Sequence, residues 1–155
     1  MVGLREATPN AYRKQRAAEG PKVGIMSPSK TTAHSTSIAV WDVPSPVVVN
    51  SKFRAKVGLK CGSACPLTRR RIVILDETGT PKCEARLGET PWPGTSALYV
   101  AQITLSAPPA DGLHNWSATS PAATSEASHS EASTRFTFRT ARPPEHRFKV
   151  TVVDA

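Results

Sequence analysis

An all-β sandwich or barrel is the fold class the sequence predicts, and three observations predict it. Short apolar or alternating runs recur from residue 34 onward, turn residues separate them, and proline outnumbers glycine, 14 to 9, in a chain of 155 residues. Alternation with a period of two marks a strand with one buried and one wet face. Several such strands at this spacing indicate a sandwich or barrel, and the prolines count against long helices. No helical run long enough to cross over a parallel sheet separates them.

Residues 1–33 mix Pro, Gly, Ser, Thr, Lys and Arg with few, aperiodic apolar positions, which predicts a disordered basic tail. Up to His34 there are six Lys/Arg against two Asp/Glu, so this segment supplies half of the formal charge of +8. The domain is expected over residues 34–141. Its first strand is the run SIAVWD at 37–42, broken afterwards by Pro44 and Pro46, and a short VVV follows at 47–49. Residues 53–60 alternate strictly, with Phe53, Ala55, Val57 and Leu59 on one face and Arg54, Lys56 and Lys60 on the other. The run RIVILD at 71–76 is closed by a turn at Gly79, and residues 82–87 alternate again. After a loop at 88–96 come strands at 97–105 and 113–118, a low-complexity Ser/Ala/Thr/Glu linker at 119–133, and a strand at 134–140. Residues 142–155 form a linker, Arg142-Pro143-Pro144, and a terminal strand, which serves either as the last edge of this domain or as the start of another.

The order of these strands resembles an immunoglobulin-like or fibronectin-III-like antiparallel β-sandwich. The proline-broken first strand is similar to strand A, 53–61 to B, 72–76 to C, 82–87 to C′ and 98–105 to E. Residues 111–116 stand where that family carries its tyrosine corner. Here His114 takes the tyrosine position and Trp116 the second-cysteine position, and the inter-sheet disulfide and strand-C tryptophan of antibody domains are absent. The terminal run 148–154 resembles the opening of a carboxypeptidase-regulatory-like module, as follows such sandwiches in bacterial multidomain chains. The resemblance implies that Trp116 points into the core, against Phe53, Val57, Ile74, Ile103 or Phe138, with His114 near the end of the sandwich. It implies nothing specific about function, because the fold hosts many.

The stretch CGSACPLTRRR at 61–71 brings two cysteines beside three arginines. A structural zinc site needs four soft or imidazole ligands, commonly in two close pairs. No second pair exists: His34, His114, His129 and His146 fall in different elements, and a Cys3His site would require Cys83 and one of them to converge. A redox pair prefers C-x-x-C at a helix N-terminus. The segment therefore reads as the turn between strands B and C, with Cys61, Cys65 and Cys83 reduced and no metal or cofactor expected.

Between residues 52 and 71 there are seven basic residues and no acidic one. Arg54, Lys56, Lys60, Arg69, Arg70 and Arg71 form a candidate stripe for a polyanion, nucleic acid or an acidic surface. The stripe itself lacks the interleaved aromatics of single-strand platforms, and as a solvated sheet face it would discourage edge aggregation. Trp92, held between Pro91 and Pro93, is the candidate recognition-loop residue, since a restrained aromatic loses little entropy on binding. No GxSxG, HExxH, Walker or GxGxxG motif occurs. Asp76-Glu77 read as turn-formers, and His114 with Asp111 lacks an assignable nucleophile. These readings point to a non-enzymatic module for structural spacing or for protein or carbohydrate contact, with polyanion binding as the other class. No run approaches the roughly 18–20 apolar residues of a membrane span. The N-terminus lacks the apolar core of a signal peptide, so the location expected is cytoplasmic, or extracellular if the start is misassigned.

Overall fold

The computed structural model describes residues 32–123, 128–145 and 152. The expected basic tail, apart from residues 32 and 33, and most of the expected terminal strand at 148–154 lie outside the described residues.

Eight strands form where the alternating and apolar runs place them, with β7 and β8 each taking two residues from the ends of the linker expected at 119–133: β1 (Thr36–Trp41), β2 (Val47–Val48), β3 (Lys52–Cys61), β4 (Arg71–Leu75), β5 (Pro81–Arg86), β6 (Leu98–Ser106), β7 (Gly112–Ser120) and β8 (Ala132–Ala141). They build two sheets, ordered β1-β3-β6 and β2-β8-β7-β4-β5. In immunoglobulin lettering this is A-B-E against A′-G-F-C-C′, an immunoglobulin-like sandwich. Every strand pair is antiparallel except β2 with β8. The parallel pair arises because the chain changes sheets between β1 and β2. Pro44 and Pro46, which have no N–H to give a ladder, occupy that crossing, and the Ser45–Pro46 peptide is cis.

The core fills the space between the sheets. β3 contributes Phe53, Ala55, Val57, Leu59 and Cys61, and β6 contributes Tyr99, Ala101, Ile103 and Leu105. Facing them are Ile72 and Ile74 of β4, Trp116 and Ala118 of β7, and Phe136 and Phe138 of β8. Trp116 is 1% exposed. It meets the Phe138 ring edge-on at 5.0 Å, and its Nε1 donates to Glu77 Oε2 at 3.1 Å. Phe138 also packs on Phe53 at 5.0 Å and on His114 at 5.3 Å. Trp116 thus fills the position the tyrosine-corner alignment implied.

The β4–β5 turn is organised by Asp76. Its Oδ1 accepts from the Thr78 N–H at 2.9 Å, the Thr78 hydroxyl at 2.6 Å and the Thr80 N–H at 2.9 Å. Lys82 Nζ lies 3.1 Å from Oδ2. Gly79 takes the left-handed φ of +80° that this turn requires. The Thr78 hydroxyl, helped by the Thr80 N–H and Lys82, holds the Asp76 carboxyl well below the usual carboxylate range against the opposing effect of burial.

Trp116→Ala should cost about 3–5 kcal/mol, a large share of the roughly 5–15 kcal/mol available to a domain. Denaturant unfolding should show a variant that aggregates or melts far below the parent, whereas Trp92→Ala, at a half-exposed position, should stay folded. A nearly neutral Trp116→Ala would show that the sandwich does not rest on this ring. A carboxyl depressed in the folded state stabilises fully above its unfolded pKa, and that contribution is lost as pH falls toward the depressed value. Stability should therefore decline below about pH 4, and Asp76→Asn should flatten that acid limb in a pH series of melting curves.

Candidate functional site

The six basic residues of the expected stripe do not form one surface. Arg54, Lys56 and Lys60 lie on the outer face of β3, as alternation requires, and Lys52 precedes them in the same row. Arg69 sits in the β3–β4 loop, in the left-handed region at φ 56°, and is bound to Glu89 at 2.7 Å. Arg70 turns inward and donates from Nη2 to the Pro121 carbonyl at 2.9 Å. Arg71 opens β4 in the other sheet and pairs with Glu84 across the β4–β5 ladder at 2.9 Å. The stripe divides at the loop because strands B and C belong to different sheets.

What remains on the outer face of the three-stranded sheet acquires aromatics that the basic run itself lacks. Trp41 of β1 pairs in register with Lys56, so its indole lies on the same face. The six-membered ring covers Gly58: a Cβ there would meet Trp41 Cη2 and Cζ3 at 2.8 Å and Leu98 Cδ1 at 3.0 Å. Trp92 comes to this face from the loop at 88–97, which is pinned by its N–H donating to the Leu98 carbonyl at 2.7 Å. Lys56 Nζ stands 5.4 Å from the Trp92 ring and 2.7 Å from Asp42 Oδ2. Lys52, Arg54 and Lys60 are exposed and make no ion pair among the described residues. Shallow depressions flank the patch, one beside Asp42, Arg54 and Gln102 and one beside Lys60 and residues 94–98. Trp41 was missed because its neighbours depend on the β1–β3 register, which the sequence alone does not show.

A second polar group lies at the opposite sheet. Glu77 Oε1 accepts from the Asn115 N–H at 2.9 Å and lies 3.3 Å from His114 Nδ1, while His114 Nε2 lies 2.9 Å from Thr140 Oγ1. Burial would raise the Glu77 pKa, but the backbone N–H groups and His114 outweigh it and hold the carboxyl below its ordinary value. The carboxylate–imidazole–hydroxyl order resembles a nucleophilic triad in outline. Thr140, however, is 2% exposed, and its hydroxyl donates to the Ala110 carbonyl at 2.7 Å. The Thr140 hydroxyl is thus tied into the end of the core, while Glu77 and His114 line an open depression together with Lys82 and Pro108. Asp111, which the sequence set beside His114, approaches Arg142 instead, at 3.9 Å.

At one end of β3 the fold assembles a third group. Cys61, the last residue of β3, keeps the inward parity of Leu59 and is fully buried. The turn that follows brings Cys65 back: the Ala64 N–H donates to the Cys61 carbonyl at 3.0 Å, and the Ser63 N–H reaches Cys61 Sγ at 3.4 Å. His34, just before β1, lies with Nδ1 3.0 Å from Cys65 Sγ. His129 comes from the β7–β8 loop, where it bridges to both His34 and Ala123, and its ring meets His34 edge-on at 5.6 Å. One ligand atom from each of His34, Cys61, Cys65 and His129 lies within 4.8 Å of the other three. Burial pushes the Cys61 thiol up, but the N–H groups of Cys65 and Ser63, the Cys65 side chain and the Arg70 guanidinium prevail and hold it below its ordinary value. The hydrogen bond to Cys61 holds Cys65 above its own. Cys83, which a Cys3His site would require, stands apart on β5. His34 and His129 complete the set instead, one from each side of the sequence expected to be a plain turn.

Among the described residues no helix is long and apolar enough to cross a membrane. No family model matches the sequence, and no curated protein matches it. Among solved structures, the chain is similar to the CARDB domain of the PF1109 protein from Pyrococcus furiosus. In its solution structure that domain is 16% identical, with 68% of this chain and 92% of that one covered and a TM-score of 0.44. The crystal structure of the same domain, in complex with di-metal ions, gives 15%, 70%, 93% and 0.45. A conjugative transposon lipoprotein from Bacteroides eggerthii DSM 20697 is 15% identical over 66% of this chain and 95% of that one, at a TM-score of 0.37.

Proposed function

We propose that this chain is a non-catalytic contact module whose three-stranded sheet binds an acidic carbohydrate. The observation that supports this most is the combination on one face of Lys52, Arg54 and Lys60, none of them ion-paired among the described residues, with the half-buried Trp41 and Trp92. Indole faces accept the apolar faces of sugar rings, and cations around them accept carboxylate or sulfate groups. The Trp41 ring occupies the space a side chain at Gly58 would fill, and the backbone of Trp92 is bonded to Leu98, so both positions need little ordering on binding. The spacing role of an immunoglobulin-like module is compatible with this reading, because the opposite sheet takes no part in it.

Titration with a heparin-derived oligosaccharide, followed by tryptophan fluorescence, should show binding that weakens as salt rises. Reversing Lys52, Arg54 and Lys60 together to Glu should reduce affinity at least about tenfold, taking each rim charge at about 0.5–1 kcal/mol, with the melting temperature little changed. Reversing Arg69 and Arg71 should leave it intact. No binding, equal binding by the triple variant, or stronger binding to a single-stranded oligonucleotide than to the glycan would each sink the proposal.

Gly58→Ala tests the aromatic half of the face. The new methyl group must swing Trp41 off the sheet, so affinity should fall as far as in Trp41→Ala. The strand gains about 0.5–1 kcal/mol from losing a glycine, which partly offsets the cost of displacing Trp41, so the melting temperature should fall by no more than about 5 °C. Unchanged affinity in both variants would remove Trp41 from the site.

A further inference from the structure

We propose that His34, Cys61, Cys65 and His129 form a structural zinc site that clips the end of the sandwich. Their donor atoms already lie within 4.8 Å of one another. A tetrahedral ion with Zn–S near 2.3 Å and Zn–N near 2.0–2.1 Å sets its ligand atoms about 3.3–3.8 Å apart. Side-chain adjustment of about 1 Å therefore closes the group around an ion, and the His34–Cys65 pair at 3.0 Å must open slightly to admit it.

The donor set identifies the class of metal. Two thiolates and two imidazoles suit zinc, whereas calcium and magnesium require oxygen ligands, and no carboxylate belongs to this group. Two thiolates also balance the charge of a divalent ion, which suits a site whose Cys61 and His129 are buried. All four positions are taken by protein, leaving none for water or substrate, so the site is structural rather than catalytic.

The backbone brings these side chains together independently of any ion. The His34 N–H donates to the Ser128 carbonyl at 2.8 Å, and the Ser130 N–H to the His34 carbonyl at 3.0 Å. The Thr36 hydroxyl donates to the Ser130 carbonyl at 2.7 Å, and the Gly62 N–H to the Ser35 carbonyl at 2.9 Å. Three segments far apart in sequence, the approach to β1, the β3–β4 turn and the β7–β8 loop, are thereby held in register. The Ser63 N–H directed at Cys61 Sγ supplies the outer-shell donor that metal thiolates commonly receive.

Untagged full-length protein, purified under reducing conditions and desalted, should carry close to one zinc per chain by elemental analysis. Cobalt(II) added to chelator-treated protein should give the visible bands of a tetrahedral ion together with thiolate charge transfer. Restoring zinc should raise the melting temperature by about 10 °C at 100-fold excess over the dissociation constant. Cys65→Ser and His129→Ala should each abolish the cobalt charge-transfer pattern or lower its intensity, while Cys83→Ser should preserve it. Because His129 is buried and its variant risks misfolding, reversible chelation of the parent carries the decision if it does. Freshly reduced parent protein that holds no zinc, gives no tetrahedral cobalt spectrum and melts unchanged with zinc would overturn the proposal. So would metal binding that survives Cys65→Ser and His129→Ala together.

Discussion

The strict two-residue period of β3 is the constraint on which the rest depends. Both of its edges are occupied, by β1 and by β6, so every side chain must go either inward or outward. Phe53, Ala55, Val57 and Leu59 go inward and hold the two sheets together; Lys52, Arg54, Lys56, Gly58 and Lys60 go outward and make the charged face. Cys61 continues the inward set, which is why its thiol ends among core residues at the tip of the strand and not in solvent with the arginines that follow. A one-residue slip would exchange the two sets, burying four cations and exposing the core. The register is therefore fixed, and both candidate sites are fixed with it.

Almost all of the fold was legible in the sequence, because alternation and proline punctuation are local signals. The eight strands formed where those signals placed them, and Trp116 fell in the core through its parity with Ala118. The sites were less legible because they depend on contacts between distant positions. His34 and His129 are 95 residues apart, yet they bridge. His129 was further obscured by its surroundings, since a Ser/Ala/Thr/Glu stretch has no periodicity to mark a residue that returns to the sheet. Arg71 looked continuous with Lys60 in sequence, but the chain changes sheets between them. Trp41 becomes part of the charged face only through a cross-strand register.

The β7–β8 loop shows how the two kinds of information meet. Eleven residues, 121–131, separate the strands, and a loop of that composition gains little from burial. Its ends are held by the ladder of β7 with β8, and closing a loop of this length carries an entropic cost that grows only slowly with its size. His129 and Ser130 add a second attachment, to His34 and Thr36 of the opposite sheet. A metal shared with Cys61 and Cys65 would extend that attachment to the β3–β4 turn. The end of a sandwich is where such a link has most to join, because the two sheets share no backbone hydrogen bonds in the core between them.

The charged face tells the opposite story about stability. Cations two residues apart on a strand stand about 7 Å from one another, where repulsion in water is about 0.6 kcal/mol per pair and is reduced further by salt. Each of Phe53, Val57 and Leu59 on the inward side contributes about 1.5–3 kcal/mol on burial. The row of cations is therefore tolerated easily, but it adds nothing to the fold. Lys56 alone has compensation, from Asp42 and the Trp92 ring. Lys52, Arg54 and Lys60 have no ion pair among the described residues, so their charge remains available to the acidic ligand proposed above.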